Sequence, residues 1–350
     1  MKKSTFLIAL LASMVGISIV LVGCADKNDR NVMPESQAQA LDSAARDISG
    51  DGPAQAATAS VLAASDVRVG TGELPTVNDL YTAGDNVYVA YDKGLTIYNL
   101  KTAEHTVAKV NDDLRAIAAN NDSIYVGGDN LYELIGSELR VIDEGVPGQI
   151  NELCWFGPSL MIGTDSGLYA RSLSESVQVL NDVNVTSMVS DGAGLWIGTN
   201  GDGLYRWDGN VFRNRYLTRD SSLLDNVSAL AFSHGHLYVG TDNGMFVYDG
   251  GRWETVSFEQ GMPSNEIVSI DADGWVVYVG TAGGTVTWYQ HTVTPVKHLE
   301  ETIVTAFSRS GIRLIAGTLY DGLAIKNGPA VSFVTAPWKS DTGDLATTSQ

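Results

Sequence analysis

A short word repeated around a small residue constrains the fold of this chain more than any other feature. Residues 185–208 contain Ile197-Gly198-Thr199 between two further strand-like segments, and variants of this word recur along the chain. We call the central residue of each copy its anchor, and successive anchors are 35 to 42 residues apart. The anchors are Ala90, Gly127, Gly163, Gly198, Gly240, Gly280 and Gly317. This period is typical of a unit that forms one small antiparallel sheet, so the sequence predicts seven such units.

The residues around the anchors repeat their chemistry as well as their spacing. The positions thirteen and ten residues before each anchor are apolar in all seven units, and the position two before is aromatic in five. β-branched and aromatic segments bounded by Gly, Asn, Asp and Pro favour strands over helices. The pattern therefore predicts four strands in each unit: one before the anchor, one at the anchor, one after it, and a fourth with a less regular sequence.

Seven four-stranded sheets need an arrangement that protects their edges. One open sheet of that size would be untenable, whereas radial repetition around an axis leaves only short edges. We therefore predict an all-β fold, a seven-bladed β-propeller of four-stranded antiparallel blades, within residues 66–335. Residues 330–334 have the pattern of an outer strand for blade seven, and residues 67–69 that of an outer strand before blade one. Either segment, or both, can close the ring.

Two segments, GLWIGTNGDGLYRWD (194–208) and GMPSNEIVSIDADGWVVYVGT (261–281), carry a resemblance to a known repeat. They resemble the two-component-regulator propeller repeat of the periplasmic sensor regions of some bacterial histidine kinases. The resemblance covers all seven units and implies the blade without implying signalling, since those sensors continue into a further β-domain, a membrane helix and a kinase. Blade one departs from the pattern at Ala90-Tyr91 and blade two at Gly128.

The N-terminus has the pattern of an export signal. A basic start and an apolar run at 6–22 end in the letters LVGC. This arrangement predicts a signal peptide over residues 1–23. The last four letters resemble the lipobox of bacterial lipoproteins, which implies that Cys24 carries the lipid, palmitate included. The alternative is an uncleaved membrane anchor, for which the run is short.

The lipobox resemblance also implies a location. A lipid on Cys24 would anchor the protein to a membrane on the extracytoplasmic side of the bacterial cell envelope. Within the lipoprotein family, Ala25 rather than Asp after the cysteine favours the outer over the inner membrane. Residues 24–65 are rich in Ala, Ser, Gln, Asn and Asp, so we expect a disordered tether there, and a flexible tail over 336–350.

The overall charge limits the partners. The chain carries 41 acidic and 22 basic residues, a net charge of −19 at pH 7. Such a charge argues against nucleic acid and against adhesion to anionic lipids, and it favours a protein partner with a basic surface. Cys154 is the only cysteine besides Cys24, so no internal disulfide is expected in the mature chain. We interpret Cys154 as a core residue, with a reactive thiol as the alternative.

Acidic residues recur in the turn after each second strand. In an antiparallel meander these turns and the blade-to-blade connections emerge on one face, which we call the acidic face. Its candidate binding residues are Asp92, Asp129, Asp165, Asn200, Asp202 and Asp242. One interpretation is turn chemistry, because Asp bonds its own backbone in such hairpins. The other is a ring of carboxylates that binds a basic partner or divalent cations, and the two are compatible.

Three charged residues stand among small ones on the predicted innermost strands. They are Asp79, Arg115 and Glu152. Ionisable groups near an axis usually have to be paired, so a structural ion-pair network is one interpretation and a ligand site in the channel is the other.

No catalytic constellation is evident. The five histidines do not cluster at metal-ligand spacing, and familiar nucleophile or zinc motifs are missing. Residues 200–203 and 271–274 are similar to parts of calcium loops but lack the rest of the ligand set, so no cofactor is expected and Ca²⁺ is the alternative. A basic cluster over 213–219 is a second candidate interface. The first hypothesis is therefore a membrane-tethered, non-enzymatic protein-binding scaffold or accessory subunit of an envelope complex. The second is a lyase- or hydrolase-type enzyme, or a sensor of a small ligand or cation at the axis.

Overall fold

A computed structural model describes residues 75–335 except 122, 144, 173–174, 215–224 and 274. The predicted signal peptide, Cys24, the tether, residues 67–69 and the tail at 336–350 lie outside the described residues. Within the described ones, the prediction of seven four-stranded antiparallel blades is confirmed.

The first three blades cover residues 77–181. Blade one contains β1 (Val77–Ala83), β2 (Asn86–Asn99) and β3 (His105–Asp113). Blade two contains β4 (Ala116–Asn120), β5 (Ser123–Gly127), β6 (Leu131–Ile135) and β7 (Glu138–Asp143). Blade three contains β8 (Ile150–Phe156), β9 (Ser159–Thr164), β10 (Gly167–Ser172) and β11 (Glu175–Asn181).

The remaining four blades follow the same order. Blade four contains β12 (Val185–Ser190), β13 (Leu195–Thr199), β14 (Leu204–Trp207) and β15 (Phe212–Asn214). Blade five contains β16 (Val227–Ser233), β17 (His236–Thr241), β18 (Gly244–Tyr248) and β19 (Trp253–Val256), followed by a 3₁₀ helix (Phe258–Gln260). Blade six contains β20 (Ile267–Asp273), β21 (Val276–Thr281), β22 (Gly284–Tyr289) and β23 (Thr292–Pro295). Blade seven contains β24 (Val304–Ser310), β25 (Arg313–Thr318), β26 (Leu323–Asn327) and β27 (Ala330–Val334).

In blade one, a single long strand supplies two of the four strand positions. Residues 86–91 of β2 pair with β1, whereas residues 92–98 pair with β3. The backbone turns at Lys93, which has a φ of 72°. The two ends of β2 meet, because the Leu100 amide donates to the Asp85 carbonyl at 2.7 Å. β2 is therefore a hairpin, and blade one has the same four-stranded plan as the others.

Packing of each blade on the next explains why the anchors are small. A Cβ on Gly198 would overlap Val227 of blade five, thirteen residues before the next anchor. The same overlap with a β-branched side chain of the following blade occurs at Gly127, Gly163, Gly240 and Gly317. Blade one has Ala90 as its anchor, and the residue of blade two at the matching position is Leu114, which is not branched at Cβ. Both are buried in one cluster. Alanine in place of the anchor glycine in blade one thus coincides with Leu114 in place of a β-branched residue in blade two.

The ring closes through the same kind of contact. A Cβ on Gly317 of blade seven would overlap Val77 of blade one. The Thr76 hydroxyl donates to the Leu319 carbonyl at 3.3 Å, and the Ser310 hydroxyl donates to the Gly84 carbonyl at 2.7 Å. β27 lies outermost in blade seven and pairs with β26. Each first strand contacts the first strand of the next blade, so these strands surround the axis. No helix among the described residues has the length and hydrophobicity to cross a bilayer.

Candidate functional site

The turns after the second strands lie beside the blade-to-blade connections. The Gly201 amide donates to the Asp225 carbonyl at 2.8 Å, the Asp165 amide to the Gln149 carbonyl at 3.2 Å, and the Leu319 amide to the Ile303 carbonyl at 3.0 Å. These bonds place turns and connections on one side of the ring, which is the acidic face.

The candidate binding residues of the acidic face differ in exposure. Asp92, Asp129, Asp165, Asn200 and Asp242 are exposed, whereas Asp202 is half-buried. Local bonds are present as well: Asp165 Oδ1 accepts from the Ser166 hydroxyl at 2.8 Å, and Asp242 Oδ2 accepts from Asn226 Nδ2 at 3.1 Å. Turn chemistry and exposure therefore coexist, because each carboxylate has more acceptor positions than these bonds use.

A threonine, rather than the aspartate, closes most of these turns. The hydroxyl of the residue after the anchor donates to the carbonyl of a glycine at the start of the third strand or directly before it. The pairs are Thr164 with Gly167, Thr199 with Gly203, Thr241 with Gly244, Thr281 with Gly284 and Thr318 with Gly322. All five threonines are fully buried. Sequence reasoning missed this role, although a threonine follows the anchor in five of the seven units.

In blade two a buried carboxylate replaces the threonine. Asp112 Oδ1 accepts from the Asp129 amide at 2.8 Å, and its Oδ2 accepts from the Tyr132 hydroxyl at 2.7 Å. A Cβ on Gly128 would lie 2.6 Å from Asp112 Oδ1, which explains why blade two departs from the repeat at this residue. Burial and the hydrogen bond to Asp112 raise the pKa of Tyr132 to about 12. Asp112 is therefore a structural member of the acidic face.

Asp79 lies on the first strand of blade one and reaches blade two. Its Oδ1 accepts from the Leu80 amide at 2.7 Å and its Oδ2 from the Ile117 amide at 2.6 Å. In blade four the Ser187 hydroxyl makes the equivalent contact, accepting from the Leu230 amide at 2.9 Å. Burial raises the pKa of Asp79 to about 7, although the two amide hydrogen bonds oppose the shift.

Glu152 occupies the equivalent position in blade three. Burial, together with the negative charge of Asp79, raises the pKa of Glu152 well above its ordinary value. Burial and the charge of Glu152 raise the pKa of the Cys154 thiol to about 12. The thiol is therefore protonated at neutral pH, which favours the core interpretation of Cys154 over a reactive thiol.

Arg115 does not neutralise these two carboxylates. Its Nε and Nη2 each lie 2.9 Å from Asp113 Oδ2, and its Nη1 donates to Asn151 Oδ1 at 3.2 Å. Asn78 Nδ2 donates to the other oxygen of Asp113 at 3.0 Å. Arg115 thus belongs to a polar network at the start of the first strands. The structure brings Asp79 and Glu152 into electrostatic contact, but it does not bring Arg115 into an ion pair with either.

A circle of hydrogen bonds links the blades near the start of the first strands. In six of the seven blades, the pairing of the first strand with the second is irregular between positions thirteen and eleven before the anchor. The residue between these two positions therefore has no paired residue on the second strand. In five blades that residue donates to a backbone carbonyl of the next blade. The pairs are Asn78 with Leu114, Asn151 with Val185, Thr186 with Val227, Ser228 with Ile267, and Thr305 with Val77.

Blades two and six depart from this arrangement in different ways. Blade two has Arg115 at the position, and its guanidinium bonds side chains instead. Blade six has Val268, and the neighbouring Ser269 hydroxyl donates to the Val304 carbonyl at 2.6 Å. Side chains at these positions therefore serve inter-blade bonding, which their small size alone did not reveal.

The other candidates lie apart from the acidic face. His234 and His236 are near Trp275 at the opposite end of the blades, with ring centroids 4.8 and 6.4 Å from it. In the second calcium-like segment, Asp271 accepts from Arg309 Nε at 2.9 Å. No group of three or more His, Cys, Asp or Glu side chains in the described part of the chain is arranged to hold a metal ion. Most of the basic cluster over 213–219 lies outside the described residues.

Comparison with known proteins supports the β-propeller fold. No family model matches the sequence, and no curated protein matches it. Among solved structures, the WD40 β-propeller domain of Doa1 is similar with a TM-score of 0.58 and 15% identity, over 77% of this chain and 97% of that one. A chain of the mitotic checkpoint complex has a TM-score of 0.59 and 16% identity, over 71% and 90%. The computationally designed protein Ika8 has a TM-score of 0.52 and 13% identity, over 73% and 96%.

Proposed function

We propose that this protein is a non-enzymatic scaffold that binds a protein partner through its acidic face. The observation that carries the proposal is the set of exposed turn residues, Asp92, Asp129, Asp165, Asn200 and Asp242, on one side of a closed ring. Because buried threonines close most of these turns, the exposed carboxylates keep acceptor positions for a partner. A rigid surface with one sign of charge attracts and orients a partner of the opposite sign.

The partner that fits this surface is a protein with Lys and Arg on its contact face. Propellers also occur in assemblies, as the chain of the mitotic checkpoint complex illustrates. The resemblance to the two-component-regulator repeat and to the lipobox extends the proposal to a bacterial envelope complex, with the propeller held at a membrane by lipidated Cys24. Mass spectrometry of the mature N-terminus tests that anchor, since an unmodified Cys24 or a retained signal would contradict it.

The experiment for the acidic face compares two variants with equal loss of charge. The first carries Asp92→Asn, Asp129→Asn, Asp165→Asn and Asp242→Asn, and the control carries Glu104→Gln, Glu138→Gln, Asp208→Asn and Asp249→Asn on the opposite side of the ring. Each is cross-linked in gently solubilised membranes beside the native protein. We expect one partner to be captured by the native protein and the control and lost from the first variant, with capture weakening as salt rises. Equal capture by both variants would place the interface elsewhere.

A second candidate function rests on the unpaired carboxylates near the axis. Asp79 and Glu152 interact electrostatically with each other, and Arg115 pairs with Asp113 instead. An organic or divalent cation bound in the channel would relieve their repulsion, as in a sensor or in an enzyme of lyase or hydrolase type. Calorimetric titration with Ca²⁺ and with a primary amine tests this candidate. Heat of binding that disappears in Glu152→Gln would favour it over the scaffold.

A further inference from the structure

Two aromatic side chains are exposed on the acidic face beside blades five to seven. Phe258 is 69% exposed and lies in the connection between blades five and six, and Tyr320 is 60% exposed and lies in the turn after the second strand of blade seven. Both positions belong to the side of the ring that carries the turn carboxylates. Large aromatic side chains so exposed on a rigid surface are typical of protein interfaces.

The turns in this part of the face lack the recurrent acid. Two residues after the anchor, blade six has Ala282 and blade seven has Leu319, where blades one, two, three and five have Asp. The Ala282 amide donates to the Glu266 carbonyl at 3.0 Å, and the Leu319 amide donates to the Ile303 carbonyl at 3.0 Å. Each of these bonds ties a turn to the blade-to-blade connection that precedes its own blade.

The loop that presents Phe258 is held in place by its own hydrogen bonds. The Phe258 amide donates to Asn265 Oδ1 at 2.7 Å, and Gln260 Oε1 accepts from the Ser257 amide at 2.9 Å. Met262 is buried beneath the loop, with 1% of its surface exposed. The Phe258 ring is therefore exposed on an ordered loop, so binding through it would cost little ordering entropy.

Tyr320 is presented in a comparably ordered turn. The Thr318 hydroxyl donates to the Gly322 carbonyl at 2.9 Å and accepts from the Asp321 amide at 2.8 Å. In the neighbouring connection, Leu299 is fully buried, and its carbonyl accepts from the Thr285 amide at 3.0 Å. The aromatic sites on both sides of this connection are thus fixed relative to the blades beneath them.

The blade-to-blade connections in this part of the face also carry carboxylates. The exposed acids of these connections are Glu259, Glu266, Glu300 and Glu301. The same connections contain Lys297 and His298, so the acids remain in excess. A purely basic segment would leave both rings uncovered, and a purely apolar segment would offer no basic group to Glu259, Glu266 and Glu300.

We infer that Phe258 and Tyr320 form an aromatic docking patch for a protein segment in which large apolar side chains alternate with Arg or Lys. The inference rests on the proposed function. It adds which part of the acidic face makes the closest contact with the partner, and it adds the composition of the segment bound there. Buried aromatic anchors near charged rims contribute most of the binding energy in many interfaces.

The test uses three labelled peptides of equal length as probes and measures their affinity by fluorescence anisotropy. One alternates Arg with Leu, the second alternates Arg with Ser, and the third alternates Glu with Leu. We expect the full-length protein to bind the Arg-Leu peptide about tenfold or more tightly than the Arg-Ser peptide, since covered aromatic surface adds to the charge term. In the double variant Phe258→Ala, Tyr320→Ala, the two Arg peptides should bind equally, at the native affinity for Arg-Ser.

The matched control is Ile312→Ala. Ile312 is 87% exposed and lies in the first-to-second-strand turn of blade seven, on the opposite side of the ring. It should leave the preference for Arg-Leu unchanged, and all variants should unfold at the native temperature because the three side chains are exposed. A preference that survives the double variant, or falls equally in Ile312→Ala, overturns the inference.

Failure of the inference is distinguishable from failure of the proposed function. If both Arg peptides bind equally to the native protein and both weaken in the four-Asn variant, the aromatic patch is rejected and the acidic face stands. If neither Arg peptide binds more tightly than Glu-Leu, both proposals are rejected.

Discussion

At the scale of single residues, the two carboxylates near the axis have distinct surroundings. Asp79 accepts two backbone amides, in the way that Ser187 accepts one in blade four. Glu152 has a longer side chain in the equivalent position and is influenced by the charge of Asp79. A small hydroxyl would serve the same backbone contact without a buried charge, so these acids reduce stability at neutral pH unless something binds them.

The pH dependence of stability follows from the direction of these shifts. Because the pKa values of Asp79 and Glu152 are raised in the folded state, folding binds protons, and this contribution to stability is present at acidic pH. For Asp79, this contribution is lost as pH rises from the ordinary carboxyl pKa, about 4, through about 7, and for Glu152 the loss starts from the same ordinary carboxyl range. We expect the free energy of unfolding to fall by a few kcal/mol over this window, since one pKa unit corresponds to about 1.4 kcal/mol.

Urea denaturation at several pH values checks this expectation. Glu152→Gln should reduce the decline in the free energy of unfolding between about pH 4 and about pH 7, and it should raise that free energy at about pH 7. The matched control is Asp249→Asn, because backbone donors of Arg252 and Gly251 lower the pKa of Asp249 and place its titration below the window. If the free energy of unfolding falls equally steeply with pH in Glu152→Gln and in the native protein, the raised pKa of Glu152 is contradicted.

At the scale of elements, the contact between neighbouring blades is encoded by a pair of positions rather than by one. Gly198 leaves no room for a Cβ against Val227, whereas Ala90 is accommodated beside Leu114. The anchor and the residue thirteen before the next anchor are therefore coupled. In most blades, the residue twelve before the anchor also donates a hydrogen bond to the backbone carbonyl of that second position, across the same seam.

A double-mutant cycle tests this coupling. Gly198→Ala should destabilise the protein by about 1–3 kcal/mol, because the new methyl overlaps Val227. Adding Val227→Leu, which reproduces the pair found at Ala90 and Leu114, should recover at least about 1 kcal/mol. The measurement is the free energy of unfolding of both single variants and of the double variant. Strictly additive effects would show that the two positions are independent.

At the scale of the whole molecule, the ring is closed by the same interactions that join blades inside it. The Thr305 hydroxyl donates to Val77 across the closing seam, as the Thr186 hydroxyl donates to Val227 between blades four and five. The hydrogen bond across the closing seam is therefore of the same kind as the one between two blades inside the ring.

Equal substitutions at two seams test this symmetry. Thr305→Val and Thr186→Val should each cost about 1 kcal/mol, the usual contribution of one hydrogen bond, and should agree within about 0.5 kcal/mol. The control is Val268→Thr in blade six, where Ser269 already donates to the next blade, so no gain is expected. A much smaller cost for Thr305→Val, measured by thermal or urea unfolding, would mark the closing seam as different.

The sequence by itself determined the strands, their number and their arrangement in blades, because the anchor glycine and its apolar neighbours follow local and nearest-blade rules that repeat seven times. It also predicted that the turn carboxylates share a face, since that follows from strand alternation. Only the tertiary structure decided which groups meet across blades. Arg115 pairs with Asp113 rather than with Glu152, Asp112 caps a turn of the next blade, and Phe258 stands exposed on an ordered loop. Such contacts depend on side-chain directions and inter-blade geometry, which no residue spacing specifies.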